Sequence, residues 1–363
     1  VMLNNDPDWD DTLFEGTKRL YYGRWDYKYE IAAAQGAAAA IIIHTAPSAG
    51  YPWQVVQTGW TGVQFELPAG DEPRLQVASW VTEEAARNLF DFAGKDLDEL
   101  VESARSRDFA PVPLGLTTSL TLTNELATVD GANVGGWLEG SDPELTEELV
   151  VFTAHHDHMG RGEPNEEGDD IYNGARDNAS GSAAVLAIAE TFARQPQAPA
   201  RSLLFLFVDA EEQGLLGSEY FARHPIVAPG RIAANINIDG ANIWGRTSDI
   251  ALIGIGNSSL DAVVEEVAAR QGRTVKPEQF PDKGHFYRSD QFNFAKIGVP
   301  AVYLDSGTEF IGQEEGWGRQ QMEQYLEVNY HQPSDEMGDD WSFDGMIEDT
   351  CLLYTSDAAD EHR

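Results

Sequence analysis

Cysteine is almost missing from this 363-residue chain: Cys351 stands alone. A disulfide framework and a thiolate metal site are thereby excluded, and any bound metal must be held by histidine and carboxylates. Basic residues are scarce as well, 24 Lys and Arg against 61 Asp and Glu, for a formal charge of −37. So acidic a surface repels nucleic acid and anionic lipid, which argues against a polynucleotide partner. Long apolar runs are lacking too. The longest, Ala37 to Ile43, has the length of a strand and falls far short of the roughly 18 residues that a membrane span requires. What is present, 42% hydrophobic and 23% charged residues, is the composition of a globular protein. Its acid-rich surface is soluble and suits a salty or extracellular setting.

Two regions differ in pattern. In the first, Tyr27 to Gln35 reads as a short helix closed by Gly36, and Ala38 to His44 as a buried strand. Leu75 to Trp80 reads as a further strand, with a helix near Thr82 to Phe90. This region has no cluster of histidine and carboxylates. The stretch Phe109-Ala-Pro-Val-Pro-Leu-Gly115 reads as a linker. Beyond it, Thr117 to Thr123 and Asn133 to Leu138 read as strands. Leu149 to Thr153 is an apolar strand running into His155, Ser180 to Arg194 is helical, and Ser202 to Val208 is a second strand apolar throughout. Strand, helix and strand with both strands wholly apolar make a βαβ unit of a buried parallel sheet. Ile232 to Ile238, Ile250 to Ile255 and Val299 to Leu304 extend it into an α/β sandwich.

In open α/β sheets, sites form beyond the carboxyl ends of the strands, and here those ends are rich in metal donors. The first strand leads into His155-His156-Asp157-His158. The following loop brings Asp177-Asn-Ala-Ser-Gly, the second strand ends in Asp-Ala-Glu211-Glu212, the third in Ile238-Asp239-Gly240, and a late loop carries Tyr330-His331. Each piece alone has an ordinary reading: a surface histidine, a solvated helix start, an N-cap. Their coincidence at one edge of one sheet points to metal. Two histidines and three carboxylates suit a pair of divalent ions, most simply zinc, which a shared carboxylate can bridge at about 3.5–4 Å. His155 and Asp157 point the same way on an extended chain, so Asp157 can accept the ring N–H of His155. Adjacent Glu211 and Glu212 diverge, so one can ligate while the other faces the water. His156 and His158 read as pocket wall or surface. The acidic loop Glu163 to Asp170 reads as a solvated charged loop.

These pieces, together with Arg288-Ser-Asp-Gln and Gly298-Val-Pro-Ala, resemble the di-zinc aminopeptidase family of bacterial leucyl aminopeptidases, aminopeptidase Y and, more distantly, glutamate carboxypeptidase. Gln35-Gly-Ala-Ala and Gly50-Tyr-Pro-Trp resemble the protease-associated domain that many members carry. The resemblance implies a zinc-exopeptidase fold, a mixed and mainly parallel sheet sandwiched by helices, over residues 116–350. Residues 1–115 would then be a smaller protease-associated α/β domain entered part-way at Val1. It implies two Zn2+ ions, with Co2+ or Mn2+ as substitutes. Asp177 would bridge them, His155 and Asp239 would complete one site, and Glu212 and His331 the other. Glu211 would be the general base, Asp157 a support for His155, and Tyr330 the oxyanion donor, with Tyr287 as runner-up. Gln291 stands where the family often has histidine, which implies altered detail behind the ligands. The implied activity is removal of N-terminal residues from peptide substrates by a secreted or periplasmic enzyme whose signal peptide would lie upstream. A carboxypeptidase or dipeptidase on the same metals and a non-catalytic receptor-like protein are the alternatives. A glutaminyl cyclase fits less well, because its single zinc leaves the five-ligand set unused.

The end of the chain stands apart. Cys351 to Glu361 resembles the translation of a transposase mosaic-end sequencing adapter. On that reading residues 351–363 are not native and do not continue a packed helix. The helix before them, incomplete, presents Phe343, Met346 and Ile347 to the core.

Overall fold

The computed structural model describes residues 1–360, with side chains through Tyr354. The chain packs as two units. One holds Val1–Val56, Ala69–Asp130 and Phe280–Tyr287, and the other Gln57–Pro68, Gly131–Gln279 and Arg288 onward. The main boundary thus lies at Asp130–Gly131, beyond the stretch that reads as a linker.

The first unit is built on a three-stranded parallel sheet of β1 (Met2–Leu3), β2 (Ala39–His44) and β3 (Val77–Thr82), in that order. Ile43 of β2 packs with Ala86 and Phe90 of the helix Glu83–Phe92 and with Leu97 of the next helix. Thr82 caps the first of these helices and Asp96 the second, each accepting a backbone N–H from the first turn. Residues 117–123, expected as a strand, form none. Their alternation meets no neighbouring ladder, and Leu120 and Leu122 remain exposed.

The second unit is a mixed α/β fold around a seven-stranded sheet. Its strands are β4 (Val134–Leu138), β5 (Leu149–His155), β8 (Ser202–Val208), β9 (Ile232–Asn237), β10 (Asp249–Ile253), β11 (Thr274–Pro277) and β12 (Ala301–Asp305), while β6 (Gly160–Arg161) and β7 (Ile171–Tyr172) pair separately. The order is β11-β10-β12-β9-β5-β8-β4. Four of the neighbouring pairs are parallel, and the pairs β10–β12 and β4–β8 are antiparallel.

The wholly apolar strands have their reason in this sheet. Along β5, Val150, Phe152 and Ala154 enter one core while Leu149 and Val151 enter the other. On β8, Leu203 and Phe205 are opposed in the same way to Leu204, Leu206 and Val208. Helices Gly181–Ala193 and Leu260–Arg270 cover the first face. Helices Leu216–Arg223 and Gln291–Lys296 cover the second, through Phe221 and Phe294. Each such side chain contributes about 1.5–3 kcal/mol by leaving water. β5, β8 and β9 run parallel in the middle, so their carboxyl ends open on the same edge.

The last helix, Phe343–Asp360, corrects two expectations. It continues without a break past Cys351 and buries Leu352 and Leu353 in the first core, with Tyr354 against Phe192. Phe343 and Ile347 are exposed, and of the three residues expected to face inward only Met346 packs. The apolar face is set by which turns of the helix lie over Leu260–Arg270, and this puts Leu352 and Leu353 inside. Residues 361–363 of the expected non-native tail lie outside the described residues. Among the described residues, no helix is long and apolar enough to cross a membrane.

Candidate metal centre

Four loops at the carboxyl edge of the sheet converge in the second unit. His155 ends β5, fully buried, and its ring Nε2 lies 3.1 Å from Asp177 Oδ1 and 3.3 Å from Asp239 Oδ1. The other oxygen of Asp177, Oδ2, lies 3.4 Å from His331 Nε2, which in turn is 3.0 Å from Glu212 Oε2. Asp177 therefore stands between two histidines with one oxygen turned to each. All five residues expected as ligands are brought together.

Local sequence explains the convergence. Asp177 lies in a kinked turn, and its peptide to Asn178 is cis. The Asn178 amide donates to Ile238 O (2.9 Å), and its oxygen accepts from the backbone N–H of Gly181 (3.0 Å) and Gly240 (3.1 Å). Ser180 Oγ accepts from Ala241 N and donates to Arg176 O, and Ser182 Oγ donates to His155 O. Asn-Ala-Ser-Gly-Ser is thus a tie that fastens the Asp177 turn to the ends of β5 and β9, next to Asp239. Gly181 is required there, since a Cβ would come 2.5 Å from Ile238 O. Ala210, just before Glu211, and His331 hold left-handed φ angles of 54° and 57°. For residues other than glycine this costs about 1–2 kcal/mol each, stored beside the donors.

Asp335 is a site residue that the sequence reading missed. Its carboxylate accepts the backbone N–H of Arg176 and of Asp177 (3.1 Å each) and the Tyr325 hydroxyl (3.2 Å). The loop that delivers His331 therefore also holds the Asp177 turn. The signal was the Pro-Ser-Asp that follows His331. Asp290, in the Arg288-Ser-Asp-Gln motif to which no role was given, is fully buried. Burial pushes its carboxyl up to about 7, even with His155 nearby. Gln291 accepts from the amide of Asn237 (2.8 Å), behind the ligands.

Asp157 lies against His155 through both its backbone and its side chain. The His155 Nδ1 atom lies 3.0 Å from the backbone carbonyl of Asp157 and 3.7 Å from its carboxylate, and the carboxylate also accepts the Glu211 N–H (3.1 Å). The Tyr330 ring lies 3.9 Å from that of His331, and its hydroxyl accepts from Arg288 (3.5 Å). Tyr287 belongs to the first unit, where its ring lies 5.9 Å from Tyr21. His156 is exposed and bonds to Ala132 O. His158 lies against a ligand candidate: its Nδ1 is 2.6 Å from Glu212 Oε1.

The electrostatics call for cations. Burial pushes the Glu211 carboxyl well above the usual range, and neighbouring Glu212 adds to this. Burial would raise Glu212 as well, but His331 and His158 hold it down at about 2. Burial works against a charged His331 ring, yet Glu212 and Asp177 lift it to about 10. So many buried carboxylates are tolerated only with positive charge among them. His155, Asp177 and Asp239 form one set of donors close enough to hold an ion, and Asp177 and Glu212 belong to another. Nitrogen and oxygen donors without sulfur suit zinc or a similar divalent ion.

The chain is similar to several known proteins. Residues 133–355 match the model of Peptidase family M28. The leupeptin-inactivating enzyme 1 of Streptomyces exfoliatus is 28% identical over 249 residues, which cover 67% of this chain and 50% of that enzyme. The chain thus spans about half the length of this curated relative. Among solved structures, the aminopeptidase of Aneurinibacillus sp. strain AM-1 superposes with a TM-score of 0.49 at 18% identity, over 91% of this chain and 65% of that one. BSAP, a zinc aminopeptidase from Bacillus subtilis, gives 0.45 at 20% identity, over 62% and 48%.

Proposed function

Since the chain belongs to peptidase family M28, we propose that its second unit is an aminopeptidase that hydrolyses the N-terminal peptide bond of peptides with two zinc ions and Glu211 as general base. The observation that carries this is Asp177, with one carboxylate oxygen 3.1 Å from His155 and the other 3.4 Å from His331. That is the arrangement of a carboxylate shared between two ions. His155 and Asp239 would hold one, Glu212 and His331 the other. When bound, the ions supply polarisation of the scissile carbonyl and a lowered pKa for the attacking water. Glu211 is buried beside the ligands with its backbone held by Asp157. Its raised carboxyl suits a group that takes a proton from water and returns it to the leaving amine. Burial keeps the Tyr330 phenol protonated, as a donor to the developing oxyanion must be.

The first unit is, on this reading, a protease-associated domain, on the strength of Gln35-Gly-Ala-Ala and Gly50-Tyr-Pro-Trp. The acidity of the chain suits a secreted enzyme. A panel of aminoacyl chromogenic amides and N-blocked peptides, assayed with zinc, tests the activity. Hydrolysis of the free-amine substrates alone is expected. Release of C-terminal residues from the blocked peptides would point instead to a carboxypeptidase, and cyclisation of N-terminal glutamine without hydrolysis to a glutaminyl cyclase.

A further inference from the structure

The second set of donors holds a group that the five-ligand assignment leaves out. The His158 ring is buried, its side chain 6% exposed, and that of Glu212 is 4% exposed. One nitrogen of His158 and one oxygen each of Asp177 and Glu212 lie within 4.8 Å of one another, close enough to share an ion. His158 Nδ1 lies 2.6 Å from Glu212 Oε1, and the other ring nitrogen, Nε2, is buried without a hydrogen bond. On the far side of the same carboxylate, Glu212 Oε2 faces His331 Nε2. The two imidazoles stand edge to face at 82°, with centroids 5.7 Å apart, and bracket Glu212 between them. Gly174 makes the room: a Cβ there would come 2.5 Å from His158 Cγ.

We infer that His158 is a metal ligand, joining His331, Glu212 and Asp177 so that this site has four protein donors. Imidazole nitrogen and carboxylate oxygen are both donors that zinc takes, so these side chains would suit such an ion.

This rests on the metal-centre reading above, and the test separates the two. The protein is stripped with chelator, and its zinc affinities are measured by competition with a chromophoric chelator. The Co2+-loaded protein is then examined by NMR for the shifted ring N–H signals of coordinated imidazoles. Wild type should show three such signals. His158→Ala and His158→Gln should each lose one, with one zinc affinity falling by more than the roughly 10–100-fold that a residue supporting a ligand costs. The circular dichroism of the stripped variants should match wild type. Two imidazole signals in wild type, or both affinities retained in the variants, would overturn the assignment of His158. A wild type that binds no divalent ion at all would overturn the metal-centre reading itself.

Discussion

Asp335 makes a prediction that needs no substrate. Its two oxygens accept the N–H groups of Arg176 and Asp177, and Oδ2 also takes the Tyr325 hydroxyl. In Asp335→Asn one oxygen becomes an NH2 of nearly the same size. Whichever way the amide turns, it faces at least one buried backbone N–H donor with another donor. A buried donor left unsatisfied costs about 1–3 kcal/mol. For a domain of this size that is a fall of about 2–12 °C in the unfolding midpoint. The loss should be present in chelator-treated protein, because the hydrogen bonds involve no metal. It should grow when zinc is present. The Asp177 turn is the part shared by both donor sets, so a looser turn weakens every ion it holds and removes part of the stabilisation that binding provides. Calorimetric scans with chelator and with zinc, on wild type and variant, measure both effects. An unchanged midpoint in chelator would show that the carboxylate is not what holds the turn. A lower midpoint with unchanged zinc affinity would show that the turn is held but does not position Asp177.

Other expectations follow from the same geometry. Glu211→Gln should keep its metal and lose about 10²–10⁴-fold in kcat, since the amide cannot take the proton; metal content near zero would reassign Glu211 as a ligand. Asp177→Asn should weaken both ions together and His331→Ala mainly one, and a variant at Asp177 that still holds two ions per chain by metal analysis would refute the bridging role. Asp349 lies 2.6 Å from Arg273, yet burial raises its carboxyl from 3.8 to about 7. The folded state thus binds this proton more tightly than the unfolded one, so its stabilisation is complete below about pH 4 and lost as pH rises through about 7. The unfolding midpoint of wild type should therefore fall more between about pH 5 and pH 8 than that of Asp349→Asn, and parallel slopes would refute the assignment.

The sequence by itself determined the strands that are apolar on both faces and the residues that stand at their ends. Burial between two helical layers leaves no alternation, so β5 and β8 announce themselves as central parallel strands, and His155, Glu212 and Asp239 must then lie on one edge. Residue type carries that much, because hydrophobic burial is local to the strand and donors are recognised by their chemistry. Contacts between segments far apart in the chain were decided only by the tertiary structure. Thr117 to Thr123 has the alternation of a strand and forms none, since a strand exists only where another chain segment accepts its hydrogen bonds. The final helix faces the core through Leu352 and Leu353, because its rotation is set by the helix beneath it and not by its own pattern. Asp157 and His158 stand in the same short motif. Which of them meets Glu212 through its side chain, and which turns its carbonyl to His155, depends on the path of the turn after β5. Asp335 reaches back 158 residues to the backbone of Asp177, a pairing that no local spacing encodes.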